Sequence, residues 1–300
     1  MSERQKGLFG REPTILAWDV ANLAWRSYHK FKHLSRRDGH PSGHIFGATR
    51  TILALVKKQP EIPILWFALE GQPTRRRKIF PAYKANRPER NFNPVAEVEE
   101  LVKLMPGTTF FHADLEADDL LAQMTHPELR GSKQIMLVTG DYDLWKYAGK
   151  PGVTVWAKDH AVDPIEIAAI FGVTTGKCVP LIKALFGDTS DNLPSASHQT
   201  RQQEIRELIE KRGLTNPKEL RACLSELPSK IQVRLEKDWD TLKRNWQVVK
   251  LSNKRDPTVK RQKGPESPEP LVEYLRKYEC KSLYEEVTRL WGNTPISKRR

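Results

Sequence analysis

The sequence predicts an α/β fold, in which a mostly parallel central sheet is flanked by helices and followed by a helical C-terminal domain. In the first half of the chain, short apolar runs alternate with amphipathic stretches. That alternation is typical of parallel sheets covered by helices on both faces. After about residue 165 the strand-length runs stop and only helical spacing continues. We therefore predict an α/β domain over residues 1–180 and a helical domain over residues 181–300.

Four apolar runs, each too short for a helix, predict the buried strands. The runs are residues 15–18, 62–69, 135–138 and 153–156. Between them, apolar residues recur every three or four positions, which predicts helices. These stretches are residues 45–55, 95–105 and 117–124.

The second half contains the residue types that begin helices. Asn216, Pro217 and Glu219 match an N-cap, a first-turn proline and a capping-box acid. An apolar stripe then predicts a longer helix over residues 231–249. Residues 254–270 contain four prolines and five lysines or arginines, which predicts a linker or a solvated basic loop. Two short helices are predicted at residues 271–278 and 283–291.

The charge of the chain indicates the class of its partner. Fifty Lys plus Arg stand against 37 Asp plus Glu, which leaves a net charge of +13. This excess favours nucleic acid over an acidic membrane surface, although many basic proteins bind no polyanion. We expect no membrane span, because no apolar run approaches about 18 residues. Three widely spaced cysteines predict neither a disulfide framework nor a zinc site, so a reducing cytoplasm is the expected location.

The positions of the carboxylates are more informative than their number. Asp19, Glu70 and Asp141 come at or just after the ends of three predicted strands. The carboxyl ends of parallel strands share one edge, where open α/β folds bind ligands, so we expect these acids to meet there. Further acids at helix starts and turns are placed in the same cleft: Glu116, Asp118, Asp119, Asp143, Asp188 and Asp191.

A cluster of this density predicts bound cations. Two carboxylates about 4 Å apart repel by roughly 4 kcal/mol at an effective dielectric of about 20, so they need cations or shared protons. All-oxygen ligation suits Mg2+ or Mn2+, and a pair of such ions can activate water and stabilise both oxygens of a phosphoryl displacement. For any single acid, an ordinary place at a helix start or in a loop is the simpler interpretation.

A basic segment follows the strand that precedes Glu70. Its members are Arg75, Arg76, Arg77, Lys78, Tyr83, Lys84 and Arg87. Basic runs are usually solvated faces, but beside a metal cluster this one would hold phosphate over the ions. An aromatic ring in it could stack on an unpaired base. If the segment is helical, Tyr83, Lys84 and Arg87 share one face.

Four motifs together resemble one family. They are Tyr83-Lys84-Ala85-Asn86-Arg87, Glu116-Ala117-Asp118-Asp119, Thr139-Gly140-Asp141-Tyr142-Asp143 and Gly187-Asp188-Thr189-Ser190-Asp191-Asn192. In type and order they resemble those of the phage and bacterial 5′-nucleases, also called flap endonucleases or 5′-3′ exonucleases. The branch with the ribonucleases H of T-even phages looks closest. The resemblance covers residues 14–195 clearly and the rest more loosely.

The resemblance implies a PIN-like core and a two-ion site. One ion is implied near Asp19, Glu116, Asp118, Asp119 and Asp141, and a second near Asp143, Asp188 and Asp191. Asp141 is implied to lie between the two ions. It also implies an arch over residues 71–94, with Tyr83, Lys84 and Arg87 at its base and the two basic side chains against the scissile phosphate.

Two departures from the family pattern affect the expected site. Glu70 stands about one residue out of register with the family's usual aspartate, and we keep it as an expected metal ligand. The segment after Pro194 lacks the glycines of a helix-hairpin-helix turn, so its backbone amides cannot approach a phosphate closely and we expect a weaker grip on duplex backbone there. Arg201, Arg206 and the basic residues 254–263 are the expected substitutes.

The resulting expectation is a metal-dependent, structure-specific 5′-nuclease. Its implied substrates are DNA with 5′ single-strand/duplex junctions and RNA–DNA hybrids, as in primer removal during replication. We expect a monomer that binds two Mg2+ or Mn2+ ions and contacts replication proteins but no membrane. One alternative is a catalytically weak module of the same fold that only binds branched DNA. Another is a related nuclease that acts on folded RNA.

Overall fold

The computed structural model describes residues 14–88, 91–197 and 202–292. Within these residues the chain forms seven strands. They are β1 (Ile15–Asp19), β2 (Ile64–Ala68), β3 (Thr108–Phe111), β4 (Ile135–Val138), β5 (Val153–Ala157), β6 (His160–Ala161) and β7 (Lys260–Lys263). The four predicted strands correspond to β1, β2, β4 and β5, whereas β3, β6 and β7 were not predicted.

The same residues form fourteen α-helices. The first seven are α1 (Val20–Lys30), α2 (Gly43–Lys57), α3 (Thr74–Ile79), α4 (Val95–Lys103), α5 (Ala117–Met124), α6 (Pro127–Arg130) and α7 (Pro164–Phe171). The others are α8 (Val179–Phe186), α9 (Gln202–Arg212), α10 (Pro217–Ala222), α11 (Ser229–Lys237), α12 (Trp239–Val249), α13 (Glu269–Lys277) and α14 (Tyr284–Trp291).

The chain divides into two compact units. The sheet unit comprises residues 14–71, 91–139 and 253–292, and the helical unit comprises residues 72–88, 140–197 and 202–252. These units differ from the predicted division at residue 180. Residues 72–88 and 140–180 group with the helical unit, and residues 253–292 group with the sheet unit. The predicted α/β class, with a mostly parallel sheet and a helical region, is confirmed.

In the sheet unit the strand order is β4-β1-β2-β3-β7. The first four strands are parallel, and β7 pairs antiparallel with β3. All five residues of β1 are buried, as expected for a central strand covered on both faces. In register, Asp19 lies opposite Ala68 of β2, and Trp18 lies opposite Val138 of β4. The carboxyl ends of these strands therefore form one edge, as predicted.

The helical unit is built around α12. This helix packs against α8 and against α3. Its buried Asn245 donates to the backbone oxygens of Ala184, at 3.0 Å, and Pro194, at 2.7 Å. The predicted N-cap is confirmed, since Asn216 Oδ1 accepts from the backbone N–H of Glu219 at 3.1 Å. The helix predicted over residues 231–249 is two helices, α11 and α12, which meet at Asp238.

One long stretch of the helical unit is largely apolar. By length and composition alone, Pro164–Phe186 is long and apolar enough to cross a membrane, although it is not a continuous apolar run. Gly172, Thr174, Thr175 and Gly176 interrupt the apolar residues of this stretch. In the structure Gly172 adopts a left-handed φ of 68° at the end of α7, and a 3-10 turn at Gly176–Cys178 precedes α8. Half of the most apolar part of this stretch is buried inside the protein.

Candidate metal centre and phosphate-binding segment

The carboxyl edge of the sheet unit holds five of the predicted acids. Asp19 ends β1, and Glu70 follows β2. The other three, Glu116, Asp118 and Asp119, occupy the N-cap and first turn of α5, which packs on β1 and β2. Parallel register and a helix start therefore bring acids from three separate segments to one edge.

Asp19 is fixed by two hydrogen bonds. One carboxylate oxygen accepts from the backbone N–H of Asn22 at 2.9 Å, which caps α1. The other accepts from the hydroxyl of Thr139 at 2.9 Å. Asp19 is 6% exposed. The strand end, the helix cap and the threonine after β4 thus hold one buried carboxylate in a single orientation.

Glu70 connects the end of β2 to the start of α5. One of its carboxylate oxygens accepts from the backbone N–H of Ala117 at 3.0 Å, and its own N–H donates to Glu99 at 3.0 Å. The next residue, Gly71, has no room for a side chain, because a Cβ would lie 2.1 Å from the His112 backbone oxygen. This close approach brings Glu70 to the helix start despite its shifted register.

Glu116, Asp118 and Asp119 form the tightest acidic cluster of the sheet unit. Each offers a carboxylate oxygen, and the three oxygens lie within 4.8 Å of one another. All three residues are buried. Magnesium binds oxygens at about 2.1 Å in octahedral geometry, so its ligand oxygens stand about 3–4 Å apart. The cluster fits such an ion after side-chain shifts of under about 1 Å.

The electrostatics of this edge also indicate a site for a cation. The pKa of Glu70 is raised to about 8, mainly by burial; the negative charges of Asp19, Glu116 and Asp118 add to the rise, and the hydrogen bond from the Ala117 N–H opposes it. Crowded carboxylates of one sign disfavour ionisation of each other. A divalent ion at this edge would remove that penalty.

The helical unit holds the other four predicted acids. Asp141 and Asp188 each cap a 3-10 turn, because their carboxylates accept from the backbone N–H groups of Asp143 and Ser190, both at 2.9 Å. Gly187 adopts a φ of 78°, and a Cβ there would lie 2.6 Å from the Leu193 oxygen. The turn that presents Asp188 therefore requires glycine.

Lys183 contacts two of these acids from α8. Its Nζ hydrogen-bonds Asp143 and lies 2.7 Å from Asp188 Oδ2. Burial alone would lower the pKa of Lys183, but the charges of Asp143, Asp141 and Asp188 raise it above its usual value. Burial likewise opposes ionisation of Asp188, yet Lys183 holds the pKa of that carboxyl below its ordinary range. The buried ammonium of Lys183 thus partly neutralises the acids of the helical unit.

The basic segment docks on the turn that carries Asp191. The backbone N–H of Lys84 donates to the Asp191 backbone oxygen at 3.1 Å. Asn86 donates to the Thr189 oxygen at 2.7 Å, and Asn192 donates to the Ala82 oxygen at 2.8 Å. These bonds hold together two motifs that are about 105 residues apart in the sequence.

Asp191 is the common partner of the three predicted residues of this segment. Its carboxylate accepts from the Tyr83 hydroxyl at 3.3 Å and from Arg87 at 3.1 Å, and Lys84 Nζ lies 3.9 Å away. Burial raises the pKa of Asp191, and the positive charge of Lys84 opposes the rise. The structure therefore brings Tyr83, Lys84 and Arg87 together, although by turns rather than on one helical face. Lys84 itself has a left-handed φ of 57°.

Other members of the predicted nucleic-acid set lie in different environments. Tyr83 is 2% exposed, so its expected stacking on a base is not what the structure shows. Arg76 is also 2% exposed and donates to the Val248 oxygen at 3.2 Å, which makes it a core residue. Arg75 donates to the Lys250 oxygen, while Arg77 and Lys78 are exposed. Arg201 lies outside the described residues.

Sequence reasoning missed two residues that shape the site, Lys183 and Asn245. Lys183 is the single charged side chain of α8, five residues before Asp188. A lone cation in an otherwise apolar helix next to an acidic turn could have indicated an internal ion pair. Asn245 had no comparable signal, because an asparagine on an amphipathic helix is ordinarily solvent-exposed.

Comparisons with known proteins agree with this arrangement. The family model described as 5′-3′ exonuclease, N-terminal resolvase-like domain, matches residues 14–172. The thermostable DNA polymerase I of Thermus aquaticus is 26% identical over 247 residues, which cover 81% of this chain and 29% of the polymerase. The 5′-3′ exonuclease of Buchnera aphidicola subsp. Schizaphis graminum is 24% identical over 191 residues, which cover 62% of this chain and 66% of that protein.

Two solved structures share the fold. The T5 D15 protein co-crystallized with metal ions has a TM-score of 0.62 at 19% identity, and the match covers 91% of this chain and 99% of the T5 D15 chain. The catalytic core of Rad2 in complex with DNA substrate has a TM-score of 0.52 at 17% identity and covers 93% of each chain. This chain spans about a quarter to a third of the length of the Thermus polymerases. The family model matches more than half of the chain, which therefore belongs to the 5′-3′ exonuclease family with the N-terminal resolvase-like domain.

Proposed function

We propose that this chain is a divalent-metal-dependent 5′-nuclease that hydrolyses phosphodiesters in DNA near junctions of duplex and 5′ single strand. The observation that carries the proposal is the buried cluster of Glu116, Asp118 and Asp119 in a member of this family. The T5 D15 flap endonuclease in complex with DNA and metal ions, which shares the fold, supports the same activity.

The acids divide into two proposed ligand sets. Asp19, Glu116, Asp118 and Asp119 of the sheet unit would hold one ion, and Glu70 would support it by fixing the start of α5 or by ligating directly. Asp143, Asp188 and Asp191 of the helical unit, together with Asp141, would hold a second. The predicted place of Asp141 between the ions stays a prediction. Carboxylate oxygens suit Mg2+ or Mn2+.

The chemistry divides between the ions and the chain. Bound ions would lower the pKa of a water toward about 7 and neutralise charge on the phosphate. Arg87, with 55% of its side chain exposed, and Lys84 can turn from Asp191 to hold the scissile phosphate. Thr139 keeps the Asp19 carboxylate oriented. This mechanism uses no side-chain nucleophile and leaves a 5′-phosphate and a 3′-hydroxyl.

The biological setting is proposed on the same basis. Curated relatives include DNA polymerases, which supports a role in replication. We propose that the substrates extend to RNA–DNA hybrids, that replication proteins recruit the enzyme, and that it acts as a cytoplasmic monomer. The exposed Arg77 and Lys78 would contribute to nucleic-acid binding, with Arg75 beside them. Arg201 and Arg206 keep their proposed place on the duplex.

The test is cleavage of a labelled 5′-flap and of an RNA-primed duplex, each with Mg2+ and with chelator. We expect cleavage that requires the metal and that is abolished in both Asp118→Asn and Asp188→Asn, one variant from each set. Asp114→Asn is the matched control, because Asp114 is exposed and stands just before the acidic cluster. Normal turnover in either site variant would remove that residue from the site.

A catalytically weak binding module is the second candidate. It is favoured by one observation, that Lys183, Lys84 and Arg87 already contact the acids of the helical unit. Such a protein would bind the flap tightly with or without chelator and would cleave neither substrate. Preference for structured RNA over both substrates would instead indicate an RNA nuclease.

A further inference from the structure

The sheet unit ends in a strand whose side chains are basic and exposed. β7 has the sequence Lys260-Arg261-Gln262-Lys263, and all four residues are exposed. It pairs with β3 on one side and is the last strand in the order of the sheet unit. Exposed lysines on an edge strand commonly prevent pairing with another chain, so that role alone would account for them. The surroundings of β7 indicate a further role.

β7 is held rigidly against the sheet. The Thr109 hydroxyl donates to the Gln262 backbone oxygen at 3.3 Å, and the Gly264 N–H donates to the Gly107 oxygen at 2.9 Å. The guanidinium of Arg261 lies 5.6 Å from the centre of the Phe110 ring. The basic groups therefore project from a fixed strand, although the sequence pattern predicted a linker or solvated loop.

The strand begins at the same edge as the acidic cluster. Lys260 pairs with Phe111, at the carboxyl end of β3. Neighbouring strands lie about 4.8 Å apart, so Lys260 stands roughly 10 Å from the line of β2 and roughly 14 Å from that of β1, which ends at Asp19. At about 3.4 Å per base pair, this distance corresponds to about four base pairs of duplex.

The composition of this surface favours a polyanion bound by charge. Residues 253–263 contain five basic residues and one acid, Asp256, whose carboxylate accepts from the N–H of Thr258 at 2.9 Å. A peptide added to a sheet edge needs pockets for alternate side chains. The cavity beneath Arg255 and Arg261 has a volume of about 10 Å3, which is room for one water. The strand itself has no apolar side chain to contact a peptide.

We propose that β7 binds the phosphate backbone of the duplex part of the substrate, a few base pairs from the bond that is cleaved. The inference rests on the proposed function for the identity of that substrate. The acidic cluster repels phosphate in the absence of metal, and β7 supplies attraction on the same edge. This surface would provide the duplex grip that the glycine-free segment after Pro194 is not expected to give.

The test compares two double variants of equal charge change. Lys260→Ala/Lys263→Ala removes two lysines of β7. Lys32→Ala/Lys58→Ala is the control, because both residues are exposed, Lys32 follows the far end of α1 and Lys58 leads into the amino end of β2. Binding to a blunt 20-base-pair duplex and to a single strand is measured in chelator across a salt series. Circular dichroism melts verify that both variants fold.

Each lysine that neutralises a phosphate contributes about 0.9 to the log-log salt slope. We expect the β7 variant to lose about two units of slope and to weaken duplex binding about tenfold or more at 0.1 M salt. Single-strand binding should not change, and the control should match the parent protein.

Three results would overturn the proposal. One is duplex affinity and slope equal to the control, and another is an equal loss for single strand and duplex. The third is that the β7 variant loses binding to a polyglutamate peptide but keeps its duplex affinity, which would indicate an acidic protein partner. A chain that cleaves nothing would refute the proposed function, whereas duplex binding in chelator would still decide the role of β7.

Discussion

Replacement of Lys183 by methionine removes the buried cation among the acids of the helical unit. Lys183 is 8% exposed, and its Nζ lies 2.7 Å from Asp188. At an effective dielectric of about 20, this attraction is roughly 6 kcal/mol before desolvation. Removing one partner of a buried pair strands the other charge and typically destabilises by about 3–5 kcal/mol. We therefore expect Lys183→Met to lower the free energy of unfolding by about that amount in chelator.

Divalent metal should reverse much of this loss. Without Lys183, Asp143 and Asp188 repel each other and bind a divalent cation more tightly. A metal ion that binds only the folded state, at a concentration 100 times its dissociation constant, stabilises that state by about 2.7 kcal/mol. Mg2+ should therefore raise the melting temperature of Lys183→Met more than that of the parent protein.

The assay is urea and thermal denaturation in chelator and in Mg2+. Lys146→Met is the matched control, because Lys146 is a partly buried lysine of the helical unit whose Nζ donates to the Leu251 oxygen. The Lys146→Met variant should be less stable than the parent protein, but Mg2+ should not raise its melting temperature more than that of the parent. The reasoning would be refuted if Lys183→Met were as stable as the parent protein in chelator, or if Mg2+ stabilised it no more than Lys146→Met.

Four further outcomes are expected. Lys84→Ala should slow single-turnover cleavage more than it weakens binding, and an unchanged rate at saturating enzyme would contradict its contact with the phosphate. Asn245→Leu leaves two buried carbonyls, of Ala184 and Pro194, without their donor, so urea denaturation should show a loss of about 2–4 kcal/mol; a loss under about 0.5 kcal/mol would contradict this. In chelator, the free energy of unfolding should fall by up to about 5 kcal/mol as the pH rises from about 4.5 to 8, because the folded state keeps the Glu70 proton that the unfolded chain has lost. In Glu70→Gln the free energy of unfolding should depend less on pH over this range. Duplex binding should weaken with salt at a log-log slope near −4 to −5, since about five phosphates are neutralised, and a flat response would leave the net charge without a role in binding.

Periodicity and apolar runs were sufficient to predict the centre of the sheet. β1 and β4 begin at the predicted residues because both strands are buried on both faces and consist almost entirely of apolar residues. Asp19 ends β1, and its position at the carboxyl edge of the sheet unit follows from parallel pairing. These features depend on local sequence and on one general property of parallel sheets.

Features that depend on long-range contacts were not predicted. β7 has no apolar residue, and its strand conformation comes from pairing with β3, about 150 residues earlier in the chain. The segment from Tyr83 to Arg87 has helical spacing, yet its turns are fixed by hydrogen bonds to the Asp191 turn. No pattern within either segment encodes these partners.

The return of residues 253–292 to the sheet unit affects how the protein can be divided. A fragment that stops at residue 252 would lack β7 and leave the backbone of β3 open, next to the aromatic side chains of Phe110 and Phe111. An open strand of this kind is a template for aggregation. Truncation at residue 252 should therefore yield insoluble material, because β3 can be covered only by a strand that lies beyond that point in the sequence.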